Sequence, residues 1–531
     1  MRSFRFFIAT FLLTLFYVHF SYAATDKYRC MWRNDPATTM VVGWNQISGE
    51  RTVLYYDTQN KGGNPLNYTH SQKADRIVEA KGMKNHFVRL TGLQPNTVYY
   101  FLIADSEGCS KAMSFQTAPD QAVDRLSIVA GGDSRNFRDA RRNANIMVSK
   151  LRPHVVMFAG DMTGGDSGKE WQQWFNDWQL TIAPDGRLTP ILAARGNHES
   201  ANTSITNLFD VPSPNVYYSM TFGGDLLRTY TLNSMIPSGG KQKDWLENDL
   251  IAHEKIRWKI AQYHHSMVPH TREKADNWEM YKNWASVFYE NRVNLVVESD
   301  AHVVKTTYPI RPSKGLGSDQ GFIRDDSNGT VYVGEGCWGA PLRKSNDDKK
   351  WTRNSGSFNQ FKLIFVDQEQ IEVRTIMVDE AKSTSSVNAK NRFLLPNNLK
   401  VWTPSNGAVL VIKKKKMIAV QAEDDPKMSE LQSKEVPGKK PIPKKKPLKK
   451  LYVDAVSNTI KVRYKLESEG EVNMILLNKN MQPVKRYTYT HVNGGVFLEP
   501  FEMSGVPSGS FVLILKKEGR VIGKYEVVKK S

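Results

Sequence analysis

At 531 residues, 40% hydrophobic and 11% aromatic, the chain is too long for one core and too apolar for disorder, so about two to four globular domains are expected. Three cysteines exclude a disulfide-dense scaffold. A formal charge of +19 would suit nucleic acid or acidic lipid, but Lys413–Lys416 and the segment Leu431–Lys450 (eight Lys against one Glu) hold eleven of those charges.

Taken in chain order, residues 1–23 read as a secretory signal peptide. Arg2 and Arg5 precede the apolar run Phe6–Phe20, which ends in Ser21-Tyr22-Ala23. A retained anchor is the alternative, and no other run is long enough to span a bilayer. The mature protein is therefore expected to be secreted or at the cell surface, with the periplasm as the alternative. Residues 24–119 show short strand-like runs such as TTMVVGWNQ, RTVLYYD and TVYYFLIAD separated by turn residues, the pattern of a small β-sandwich. Cys30 and Cys109 fall in this module, and an oxidising compartment would allow a bridge; the sequence leaves paired and free states open.

Residues 120–384 carry five apolar runs that each end on metal-binding side chains. LSIVAGGD delivers Asp133, VVMFAGD delivers Asp161, ILAARGNH delivers Asn197 and His198, KIAQYHH delivers His264 and His265, and NLVVESDAH delivers Asp300 and His302. Such runs suit strands buried on both faces, and open α/β sheets gather ligands at the carboxyl ends of their strands. DARRNANIMVSKL, KEWQQWFNDW, KQKDWLENDLI and WEMYKNWASVFYENR repeat apolar residues at helical spacing, with their Trp residues read as core. Residues 385–450 form a linker region with one strand-like run, GAVLVIK, before a segment interleaved with Pro437, Pro441, Pro443 and Pro447. That composition is an extended, solvated spacer. No specific nucleic-acid binding is expected from it, and contact with an anionic cell surface is the other use of its charge. Residues 451–531 are again strand-rich. The fold class is thus multidomain: an N-terminal β-sandwich, a central α/β (αββα) domain and a small C-terminal β-sandwich.

Carboxylates, a carboxamide and imidazoles together suit divalent ions, and two ions roughly 3.5–4 Å apart clamp a phosphate and activate water. In order, Gly132-Asp133, Gly160-Asp161, Gly196-Asn197-His198-Glu199, the His264 segment and Asp300-Ala301-His302 resemble the motifs of calcineurin-like metallophosphoesterases, in particular the purple acid phosphatases, which also carry a fibronectin type III-like domain ahead of the catalytic one. The resemblance covers about residues 25–380. It implies a metallophosphoesterase domain in which Asp133 and His302 hold one ion, Asp161 bridges, and Asn197, His264 and Asp300 complete the second site. His265 is the rival to His264. The resemblance further implies that His198 bonds the phosphate or protonates the leaving oxygen. Arg135 binds phosphate or pairs with a nearby acid, and His270 is either a substrate contact or a bystander.

Three departures qualify this. Gly164 stands where the purple enzymes place the tyrosine that colours ferric iron, so a colourless protein is expected. Asp300 replaces an imidazole and favours harder ions such as manganese or magnesium; iron and zinc remain open. Ser134-Arg135 follows Asp133 where many family branches place a histidine. Met503-Ser504-Gly505-Val506-Pro507-Ser508-Gly509 and the basic terminal strand resemble the sorting domains of the type IX secretion system, which implies contact with secretion machinery. The expected function is hydrolysis of phosphate monoesters on small or macromolecular substrates. Phosphodiester hydrolysis or a decayed surface adhesin are the alternatives.

Overall fold

The computed structural model describes residues 24–388, 391–413, 449–452 and 459–529, apart from single positions 467, 481, 492, 494 and 519. The expected signal peptide and most of the Lys/Pro-rich spacer lie outside these residues. Among the described residues no helix is long and apolar enough to cross a membrane.

The N-terminal domain packs two four-stranded sheets face to face. One runs β1 (Thr25–Met31), β2 (Met40–Gln46), β6 (Met83–Leu90), β5 (Arg76–Ala80), and the other β4 (His70–Lys73), β3 (Val53–Asp57), β7 (Val98–Ala104), β8 (Met113–Gln116). Their inner faces bury Trp44, Leu54, Phe87, Phe101 and Phe115. Cys30 pairs in register with Val42 in the first sheet, while Cys109 bridges Ala104 beside the second. Both thiols are free, so the two sheets are held by packing and no disulfide links them.

The central domain stacks two sheets between helices. The first sheet begins with three parallel strands, β9 (Leu126–Gly131), β10 (Val155–Phe158) and β11 (Ile191–Ala193). Every residue in them is buried, because helices cover one face and the second sheet covers the other. Helices α1 (Arg138–Leu151) and α2 (Gly168–Trp178) lie on the outer face. There Trp174 and Trp178 meet Phe158 edge-on. Asp177 of α2 takes bidentate bonds from Arg138 and a 2.5 Å bond from Arg141, tying the two helices together. A Ser167/Glu170 capping box starts α2.

The second sheet has seven strands: β12 (Tyr218–Phe222), β13 (Leu227–Thr231), β14 (Trp258–His265), β15 (Leu295–Ser299), β19 (Val331–Gly334), β16 (Val304–Thr307) and β20 (Thr352–Gly356). Helix α4 (Lys241–Ala252) and the segment α5 (Trp278–Met280), a π turn (Tyr281–Ala285) and α6 (Ser286–Glu290) cover it. Trp284 and Phe288 pack on Tyr263 of β14. The Trp residues of α2 and Trp284 are core, as expected, whereas Trp278 is 47% exposed.

Helix α3 (Asn202–Phe209) follows β11, and a two-stranded ribbon of β17 (Ile310–Pro312) and β18 (Phe322–Arg324) lies between β16 and β19. The first sheet also runs past the expected boundary at 384. After β21 (Gln360–Val366) and β22 (Gln370–Met377), β23 (Val409–Lys413) pairs with β22 as the edge strand. The GAVLVIK run, expected as a strand within the linker, therefore belongs to the catalytic sheet. The C-terminal domain has a five-stranded sheet, β24 (Lys449–Tyr452), β30 (Arg520–Lys529), β29 (Gly509–Lys517), β26 (Gly470–Leu477), β27 (Pro483–His491), and the pair β25 (Thr459–Leu466) and β28 (Gly495–Glu502). Val462, Met474, Phe501 and Leu513 are in its core.

The first two domains are joined by charge. Asp210, at the carboxyl end of α3, is buried and faces Arg33 (3.3 Å), Arg76 (3.1 Å) and Arg89 (2.9 Å) of the sandwich. Lys81 reaches Asp166 at 2.8 Å.

Candidate metal centre

The stacking of the two sheets brings the strand ends together. β9, β10 and β11 of the first sheet lead into Asp133, Asp161 and Asn197; β14 and β15 of the second lead into His264, Asp300 and His302. The bonds between the halves are made by the ligands themselves. Asp300 N–H donates to Asp133 Oδ2 (2.9 Å), His302 Nε2 lies 3.1 Å from Asp133 Oδ1, and His264 Nε2 lies 2.9 Å from Asn197 Oδ1 and 3.3 Å from Asp161 Oδ1. Asp133, Asp161 and His302 bring ligand atoms within 4.8 Å of one another, and His264, His265 and Asp300 form a second such group. All six expected ligands converge, Asn197 through its contact with His264.

The backbone is bent to achieve this. Asp133, Asp161, Asp300 and His302 all have positive φ, between 54° and 68°, a region that costs a non-glycine residue roughly 1–3 kcal/mol. Each ligand leaves its strand by this sharp turn, so its side chain faces the gap between the sheets. Gly336 lies so close that a Cβ there would sit 2.4 Å from Asp133 Oδ2.

The tautomers show what the gap demands. His264 Nδ1 donates to the Ala159 carbonyl (2.9 Å) and His302 Nδ1 to the Pro341 carbonyl (2.7 Å). In the neutral rings this leaves bare Nε2 atoms aimed at oxygens that can only accept. Only a proton or a cation resolves such contacts, and a backbone carbonyl on the far nitrogen is the usual second partner of a metal-bound histidine. Asp161 Oδ2 is buried with no hydrogen-bond partner. Without an ion the protein uses protons. Burial opposes charge on His264, but Asp161, Asp133 and Asp300 overcome it and raise its pKa to about 9. Burial likewise opposes ionisation of Asp133, yet His264 and His302 hold its pKa low. For Asp161 burial prevails, and its pKa is raised. The donor set fits divalent ions.

His198 sits beside the cluster. Its N–H donates to Asp161 Oδ1 (2.9 Å), its Nδ1 donates to the Gly164 carbonyl, and its Nε2 lies 3.8 Å from Asp161 Oδ2. Arg135 Nε lies 3.4 Å from Asp161 Oδ2, which makes Asp161 the nearby acid anticipated for it. His270 does not join the cluster. It is fully buried, bonds Thr352 Oγ1 at 2.7 Å and packs on Trp351, so the structure does not place it as a substrate contact.

Three supporting features were not singled out from sequence. Glu199 is buried and accepts from the N–H groups of Asp161 (3.0 Å), Met162 (2.8 Å) and Gly196 (2.7 Å). Burial and Asp161 raise its pKa to about 7. Lys274 donates to Asp300 Oδ1 at 2.6 Å, offsetting the carboxylate that replaces an imidazole. Buried Lys305 pairs with Glu298 (2.6 Å) and with Glu335 behind His302. The motif position of Glu199 was readable; the two lysines had no local signal, since their partners lie on other elements of the fold.

Residues 127–304 match the calcineurin-like phosphoesterase model and residues 25–117 the purple acid phosphatase N-terminal domain. The chain joins these two domains in one protein. Purple acid phosphatase 23 of Arabidopsis thaliana is 24% identical over 287 residues, 46% of this chain and 62% of its own length. Purple acid phosphatase 13 of the same plant is 23% identical over 301 residues, 45% of this chain and 54% of its own. The chain thus spans less than two thirds of these curated relatives. In structure it is similar to a purple acid phosphatase from yellow lupin (Lupinus luteus) seeds, with a TM-score of 0.56, 15% identity, and coverage of 70% of this chain and 76% of the other. A structure of PhoD gives 0.54, 11%, 75% and 94%. At these identities the likeness establishes the fold. The phosphoesterase domain is therefore the part that holds the ligand cluster, and the purple acid phosphatase N-terminal domain is the part that clamps α3.

Proposed function

We propose that this chain is a secreted two-metal phosphoesterase, most simply a phosphomonoesterase. The observation that carries the proposal is the pair of imidazole Nε2 atoms facing acceptor oxygens across the gap, beside an Asp161 Oδ2 that is buried and accepts no hydrogen bond. Asp133, His302 and Asp161 would hold one ion, and Asp161, Asn197, His264 and Asp300 the other. When bound, such a pair lowers the pKa of water and screens the phosphoryl oxygens.

The remaining work falls to this chain's side chains. The Gly164 carbonyl holds His198 by Nδ1, which leaves Nε2 as the ring atom that would pass a proton to the leaving oxygen. Arg135, whose Nε lies 3.4 Å from Asp161 Oδ2, has a planar fork that would suit two phosphoryl oxygens. Glu199 keeps the Asp161 and Gly196 backbone rigid, which holds the bridging carboxylate in one orientation. Asp300 shares its charge with Lys274, which lowers the net negative charge a phosphate must approach.

The test is turnover of p-nitrophenyl phosphate and its bis-ester by purified protein, with and without added manganese. Manganese-dependent turnover of the monoester, lost in Asp161→Ala, is the expected result. Faster cleavage of the bis-ester would move the assignment to a diesterase, and absence of both turnover and bound metal would favour an adhesin. The proposal also takes the N-terminal run and the C-terminal domain as export signals. Unchanged export of a chain truncated after Lys450 would remove the sorting role.

A further inference from the structure

In a regular strand consecutive side chains point to opposite faces, so His264 and His265 at the end of β14 should diverge. They do not. Gln262 faces Val297 and His265 faces Ser299, which is three steps along β14 against two along β15. The extra residue is a bulge, the device that re-aims side chains beside functional sites. The His265 N–H goes to Ser234 Oγ at 3.1 Å. The two rings end with centroids 5.3 Å apart, tilted by 53°. Ligand atoms of His264, His265 and Asp300 all lie within 4.8 Å of one another. His265 Nδ1 is buried with no hydrogen-bond partner. One oxygen of Asp300 already accepts from Lys274, so this side of the cluster has only part of a carboxylate to offer.

We infer that His265 is an additional ligand of the second ion, bound alongside His264, Asp300, Asn197 and the Asp161 bridge. The inference rests on the two-metal reading above. Nitrogen and oxygen donors bind zinc-like ions at about 2.1 Å, so donors on one ion lie at most about 4.2 Å apart. Closing the observed group requires a side-chain shift of about half an ångström, within the reach of a half-buried ring. The bulge then has a chemical consequence: it turns a histidine that alternation would point away into a fifth protein donor for one ion.

The experiment uses the full chain, stripped by chelation and titrated with manganese by calorimetry and electron paramagnetic resonance. Wild type should take up two ions. His265→Ala should weaken one of the two sites about tenfold or more and leave the other unchanged, with the melting temperature of the metal-free protein unaltered. His265→Asp, which restores a donor, should recover part of the loss. Wild-type affinity at both sites in His265→Ala would overturn the inference. So would an equal loss at both sites together with a lower metal-free melting temperature, which marks a packing role. Uptake of fewer than two ions by wild type, or unchanged uptake in Asp161→Ala, would instead remove the two-metal reading, and the inference with it.

Discussion

Replacing Glu199 by Ala should destabilise the metal-free protein by an amount that depends on pH in a defined direction. The side chain is fully buried and its two oxygens accept from three backbone N–H groups, those of Asp161, Met162 and Gly196. Orphaning a buried donor costs about 1–3 kcal/mol, so three lost acceptor contacts amount to roughly 3–9 kcal/mol. Against this stands the burial of the carboxylate, which with Asp161 raises its pKa to about 7 from the ordinary 4.5. A raised carboxylate pKa means that the folded state keeps a proton which the unfolded state releases. The stability this contributes is complete below about pH 4.5 and is lost as pH rises through 7. Between pH 5 and pH 8 the wild type should lose roughly 2–3 kcal/mol from this group alone, and Glu199→Ala should not. Urea unfolding followed by tryptophan fluorescence at both pH values measures the difference. Destabilisation should be larger at pH 5 by roughly 2–3 kcal/mol. An equal effect at both pH values, or a total below about 1 kcal/mol, would refute the account of Glu199 as a buried clamp on the ligand loops.

Other outcomes follow from the same geometry. Gly336→Ala places a Cβ 2.4 Å from Asp133 Oδ2 at a backbone φ of +99°. It should lower the melting temperature and abolish uptake of the ion beside Asp133, read by elemental analysis. Asp210→Ala strips the shared partner from Arg33, Arg76 and Arg89. Because those arginines are partly exposed, the expected loss is about 2–3 kcal/mol, at the lower side of the range for a broken buried pair, measured by thermal unfolding. Gly164 offers no phenolate, so iron-loaded protein should show no strong visible absorption band. Gly164→Tyr, whose Cβ would meet only Glu170 at 3.0 Å and Asn136 at 3.8 Å, should introduce one.

Much of this protein was written locally. An apolar run closed by Asp133 or Asp161 carries both its burial and its polar terminus within a few residues, so the strands and the chemical groups at their ends are legible in the sequence. The tryptophans of α2 were legible as core for the same reason, since their spacing is that of one helix face. The GAVLVIK strand is legible by itself, but the polar stretch before it carries no sign of the sheet it joins, and only its pairing with β22 shows which domain owns it. His270 looked like a loop histidine near the site; its burial against Trp351, 81 positions on, was invisible.

The chain alone therefore determined which chemical groups stand at the strand ends, because alternation and hydrophobic runs are short-range properties. The docking of one sheet on the other decided the rest: that Nε2 of His302 meets Asp133, that Lys274 settles on Asp300, that Glu199 holds the turn carrying Asp161. Those contacts join residues 26 to 169 positions apart, and their distances arise from packing two buried surfaces together, a quantity that no local pattern encodes.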